Sequence, residues 1–123
     1  LSGAELIASV IVTVSVIGFH AWAGAPSEVS YLASEHRHVF EVRVEFGVSE
    51  DDRQVEFHTA QDWVRRALHE RWGAGLGVAC HFGGLSCEAI ARELLVSLAA
   101  KGRAMSVEVW EDGENGGRAA VCA

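Results

Sequence analysis

Near its start the chain alternates valine and isoleucine with small or polar residues. From Glu5 to Trp22 the positions Val10, Val12, Val14, Val16 and His20 share one parity. Side chains along a strand alternate between faces with period two, so this run predicts a long first strand whose apolar face ends in a histidine. Gly18 marks an expected bend or bulge within it. The apolar part, Leu6 to Phe19, is interrupted by Ser9, Thr13 and Ser15 and has no basic residue before it. It falls short of the roughly 18 consecutive apolar residues of a membrane helix, and its valine and isoleucine content favours a strand.

The stretch Ala23 to Glu35, with Gly24, several serines and the sole proline, Pro26, predicts a crossing loop. His36 to Val48 then reads as a second strand. Its even positions, His36, His38, Phe40, Val42, Val44 and Phe46, form a mostly apolar face, and Arg37, Glu41, Arg43 and Glu45 make the other face polar. Ser49 to Arg53 supplies a charged turn. Ala60, Trp63, Val64, Ala67 and Leu68 recur at helical spacing and predict a first helix from about Thr59 to Trp72, ended by Gly73, Gly75 and Gly77. A second helix starts near Ser86 as N-cap, buries Ile90, Ala91, Leu94, Leu95 and Leu98, and stops before Gly102. Two strands, Met105 to Glu111 and Arg118 to Cys122, flank the turn Asp112-Gly113-Glu114-Asn115-Gly116-Gly117. The order ββααββ predicts an α+β domain spanning residues 1–123, with a four-stranded antiparallel sheet and two helices on one face. Sheets of this kind leave open edges, which assembly into a larger barrel would close.

Composition narrows the partners. Half of the 123 residues are hydrophobic, enough for a core without staples. A net charge of -7 with ten Lys plus Arg argues against a nucleic-acid partner, which needs a basic face, and leaves a small molecule or another protein chain. Three cysteines, Cys80, Cys87 and Cys122, without CxxC spacing suggest neither a disulfide framework nor a thiolate zinc site, and point to a reducing, cytoplasmic setting.

The candidate chemistry lies in three histidines. His36 and His38 are two apart on a strand, so both imidazoles leave the same face about 7 Å apart along the backbone, within reach of one ion. An HxH pair on a strand also occurs as a solvated pair without a ligand. His20 tips the balance, because it shares the parity of the first strand's valines and an antiparallel partner would bring it alongside. Three imidazoles on an apolar face without a ligand leave hydrogen bonds unmet at roughly 1–3 kcal/mol each. Three neutral imidazoles with an open fourth position are what a catalytic zinc uses, though they also suit iron, copper or nickel. His58 and His69 read as solvated positions around the first helix, and Cys87 and Cys122 as core or helix-start residues.

These features, in this order, resemble the 6-pyruvoyl- and 6-carboxytetrahydropterin synthases. The resemblance rests on His20, on His36-Arg37-His38, on Glu56-Phe57, on Ser86-Cys87-Glu88 opening the second helix, and on Val107-Glu108-Val109-Trp110-Glu111. It implies a tunnelling fold, a zinc ion on His20, His36 and His38, a pterin-like ligand, and a homo-oligomer, a trimer or a hexamer of two stacked trimers, with sites between subunits. Glu111 matches the glutamate that anchors the amino-pyrimidine edge of a pterin, a task that suits a carboxylate accepting two parallel N–H bonds. Glu88 is a second candidate for substrate binding, although a glutamate in the first turn also simply favours the helix dipole.

The chain departs from the family where the base is expected. The loop Ala23 to Glu35 has no cysteine, and Tyr31, Ser34 and Glu35 are its nearest polar replacements. In place of the family's Asp-His pair stands Cys80-His81, an adjacent thiol and imidazole that form a candidate catalytic pair. Two functions follow from the resemblance. One is a metal-dependent lyase acting on a dihydropterin triphosphate; the other is a non-catalytic or repurposed protein that binds a pterin- or purine-like heterocycle.

Overall fold

The computed structural model describes residues 7–73, 78–100 and 102–122. The expected strand start at Glu5 and the glycine stops at Gly75 and Gly77 lie outside these residues. Strand β1 runs Ala8–His20 and pairs antiparallel with β2, His36–Val48. Helix α1 spans Phe57–Trp72, β3 Cys80–Gly83, α2 Cys87–Ala99, β4 Ala104–Glu111 and β5 Asn115–Ala120. The strands form one sheet in the order β3-β1-β2-β4-β5.

The α+β class is as the sequence predicts, but the sheet has five strands and is mixed. The added strand, β3, pairs parallel with the end of β1. Its four residues alternate buried Cys80 and Phe82 with exposed His81 and Gly83, a pattern too short to stand out within a glycine-rich stretch. The expected turn through Gly117 is also shorter. Asp112 and Gly113 take left-handed φ of 52° and 70°, and Asn115, Gly116 and Gly117 already belong to β5. The crossing loop contains a 3-10 segment, Ser27–Ala33. Helix α1 begins two residues before Thr59, because the Glu56 carboxylate caps it by accepting from the His58 and Thr59 amides.

Valine-on-valine register holds the centre of the sheet. Val12 faces Val44, Val14 faces Val42, and Val42 and Val44 face Val109 and Val107. The two helices cover this face with Val64, Leu68, Ile90, Leu94 and Leu98, all fully buried with Phe40 and Phe46. Each such side chain contributes roughly 1.5–3 kcal/mol relative to exposure. Gly18 is not a bulge in the β1–β2 ladder, where it pairs with His38 in regular register. It is there for space: a Cβ would lie 2.5 Å from the Phe82 ring and 2.7 Å from the Phe40 ring.

Gly117 has a similar reason, with a consequence for the site. A Cβ there would fall 2.5 Å from the backbone nitrogen of Glu88, so β5 passes directly beneath the first turn of α2 and fixes its position over the sheet. Backbone cannot retreat as a flexible side chain does. Gly117→Ala is expected to destabilise the fold by about 1–3 kcal/mol through overpacking, seen as a lower urea midpoint with an unchanged slope.

Candidate metal centre

The register of β1 and β2 places His20 directly opposite His36, with His38 opposite Gly18. All three continue the apolar face to one end of the sheet, where Phe40 packs edge-on against His20 and His38. The rings do not stack. Their centroids are 4.5 to 5.3 Å apart at interplanar angles of 66° to 83°, and one ligand nitrogen from each lies within 4.8 Å of the others.

Each ring is oriented through Nδ1. His20 Nδ1 lies 3.0 Å from the Leu85 carbonyl, His36 Nδ1 2.9 Å from the Ser34 carbonyl, and His38 Nδ1 2.7 Å from Asp112 Oδ2. These oxygens only accept, so every Nδ1 carries a proton and donates, and in the neutral imidazole that leaves Nε2 as the acceptor. The Nε2 atoms of His20 and His38 are buried and have no hydrogen-bond partner. Outer oxygens that accept from one ring nitrogen, with a nitrogen of each of three histidines gathered within 4.8 Å, are the arrangement of metal-ligating histidines. The donor set therefore fits a divalent ion such as zinc.

Carboxylates complete the surroundings. Asp112 accepts from the Val39 amide as well as from His38, and the His38 hydrogen bond, followed by that amide, holds its carboxyl below the usual range. Glu111 ends β4 with one oxygen 3.1 Å from His20 Nε2 and the other 3.5 Å from His38 Nε2. The Cys87 thiol donates to Glu111 at 3.5 Å, and burial, with the neighbouring carboxylate, pushes it up to about 12. A cavity of about 540 Å³ opens beside these groups, with His20, His36, Glu111, Trp22, Leu32 and Glu88 among the residues that line it. This is the size range of small-molecule sites.

Cys80 and His81 fall elsewhere. Cys80 is fully buried in the core, its thiol directed at the Leu68 carbonyl and pushed up to about 11 by burial. His81 stands on the opposite face of the sheet, stacked on Phe19 at 5.5 Å. Adjacent strand residues point apart, so neither shares the cavity of its own chain. Two further expectations are corrected. His69 is buried rather than solvated, with Nδ1 2.9 Å from the Arg65 carbonyl and Nε2 2.8 Å from that of Val78. Cys122 is exposed rather than in the core. Tyr31, Ser34 and Glu35 are exposed, and only the Ser34 carbonyl reaches the site.

Sequence reasoning passed over Asp112, Cys87 and the lining residues Trp22 and Leu32. Asp112 had a signal, since an Asp-Gly pair at a hairpin tip is a turn, but the turn's aim at His38 depends on the β2–β4 pairing. The Asp112 amide donates to the Val39 carbonyl at 2.8 Å and so extends that ladder.

No protein-family model matches the chain. No curated protein matches it either. Among solved structures the chain is similar to the uncharacterized protein WS1659 from Wolinella succinogenes, with a TM-score of 0.66 at 14% identity over 94% of this chain and 99% of that one. Likeness at this identity is a likeness of fold. No helix among the described residues is long and apolar enough to cross a membrane.

Asp112→Asn tests the outer carboxylate. Asparagine tolerates the left-handed turn and still offers His38 an acceptor, but without charge. For a metal held on the three histidines, affinity measured by chelator competition is expected to fall about 10–100-fold with the circular dichroism spectrum unchanged.

Proposed function

We propose that the chain holds a divalent metal, zinc foremost, on His20, His36 and His38 and binds a flat pterin-type heterocycle in the adjoining cavity, as a divergent tunnelling-fold relative of the tetrahydropterin synthases. The observation that carries this reading is the set of three imidazoles whose Nδ1 hydrogens are all engaged outward while two buried Nε2 atoms lack any hydrogen-bond partner. A bound metal would supply Lewis-acid polarisation to an oxygen-bearing ligand. The chain itself supplies an aromatic lining residue in Trp22, an apolar one in Leu32, and the acceptors Glu88 and Glu111 for the N–H groups of an amino-pyrimidine edge.

Binding is favoured over lyase turnover by the placement of the thiols. Cleavage of a dihydropterin triphosphate needs a base beside the acidified C–H. Cys80 lies in the core, His81 faces the far side of the sheet, and Cys87, the thiol lining the cavity, is pushed up to about 12. The proposal includes self-association into a trimer or hexamer. Its support is the open edges at β3 and β5 and the exposed Ile11, Ile17 and Val39 on the uncovered face of the sheet.

Elemental analysis is expected to find about one zinc per chain in the wild type and none in a His36→Ala/His38→Ala double variant, as a three-histidine site requires. Absence of metal in both, after zinc is added back, would sink the reading. With 7,8-dihydroneopterin triphosphate we expect quenching of Trp22 fluorescence, absent in Trp22→Phe, and no release of triphosphate. Release that disappears in His36→Ala would instead establish the lyase.

A further inference from the structure

Glu111 stands in a relation to the histidines that an anchor for a distant ring edge does not require. Its Oε1 is 3.1 Å from His20 Nε2 and its Oε2 3.5 Å from His38 Nε2. Neither contact is a hydrogen bond, since both nitrogens are buried without a partner, and His20 as a whole is only 9% exposed. An imidazolium paired with this carboxylate would point an N–H at the oxygen. Here the oxygen lies off that line.

Tetrahedral zinc, with ligands at about 2.0–2.1 Å, sets neighbouring ligand atoms about 3.3 Å apart. The spacings of Glu111 to the two nitrogens bracket that value. Two of the three imidazoles thus have a Glu111 oxygen at ligand-to-ligand distance, and the three imidazole nitrogens lie within 4.8 Å of one another.

The strand ends explain how the carboxylate arrives there. Glu111 is opposite Phe40 in the β2–β4 register, two residues along from His38, and the Asp112 turn that follows is tied to both His38 and Val39. The same turn therefore orients one histidine and ends the strand that carries the carboxylate. Cys87 donates its S–H to Glu111 Oε1, which orients that oxygen further.

We infer that Glu111 is the fourth ligand of the metal in the ligand-free protein, giving a three-histidine, one-carboxylate site with no position open to water. This rests on the metal reading above. It deepens it by making entry of the heterocycle conditional: a ligand that bonds to Glu111, or brings its own oxygen to the metal, must first displace this carboxylate. The site is then closed to small anions that lack the ring.

The test is to load the full-length protein with cobalt(II) and record its visible spectrum with and without azide, alongside chelator-competition affinities for wild type and Glu111→Gln. A closed site predicts a wild-type spectrum that millimolar azide does not move. It also predicts a spectrum in Glu111→Gln that azide does move, and an affinity loss of more than about tenfold in that variant. Circular dichroism of the variant, expected to be unchanged, separates ligation from folding. If azide shifts the wild-type spectrum, or Glu111→Gln keeps the wild-type affinity, Glu111 is not a ligand and the inference is overturned while the three-histidine site stands. A wild type that binds no cobalt, no differently from His36→Ala, overturns the metal reading itself.

Discussion

The β1–β2 ladder is the constraint on which the rest depends. Its register sets Val12, Val14 and Val16 against Val44, Val42 and Phe40, and with period-two alternation the same register puts His20 across from His36. A slip of one residue would send the valines to solvent and the histidines with them. The core and the histidine cluster are thus specified by the same pairing. The hydrophobic gain from the valine rows holds the three imidazoles together, edge to face at 4.5 to 5.3 Å.

That coupling shows in the hydrogen bonds. In the core, Cys80 Sγ finds the Leu68 carbonyl, and the buried His69 finds two carbonyls. At the end of the sheet the rule changes: His20 and His38 each keep a buried nitrogen without a partner, although Leu85, Asp112 and Glu111 lie close by. Unmet polar groups cost roughly 1–3 kcal/mol each, and one of the two here belongs to His20, which lines the cavity. The stability of the valine rows carries that cost.

Glycine positions connect packing to the site. Gly18 lets the Phe40 and Phe82 rings close over β1 immediately beside the histidines, and Gly117 lets α2 rest on β5 so that Ser86, Cys87 and Glu88 border the cavity. Asp112 and Gly113 form the left-handed turn through which β4, β5 and His38 meet. These residues read in the sequence as turn or bulge signals. Their work is to permit close approach, which depends on what lies opposite.

The sequence alone carried the α+β class, the two long strands, both helices, the shared face of His36 and His38, and the place of His20 on the valine face of its own strand. All of these follow from period 2 or period 3.6 within a single segment, and local periodicity survives whatever the rest of the chain does. Tertiary structure decided what depends on two distant segments at once. Parallel β3 exists because Cys80 and Phe82 dock against the end of β1, and the same docking sends His81 to the far face. It also buried His69, engaged Asp112 with His38 across 74 positions, and brought Glu111 beside the imidazoles. None of these is written in a spacing along one segment, because each distance is set by the register of the sheet and by the packing of helices on it.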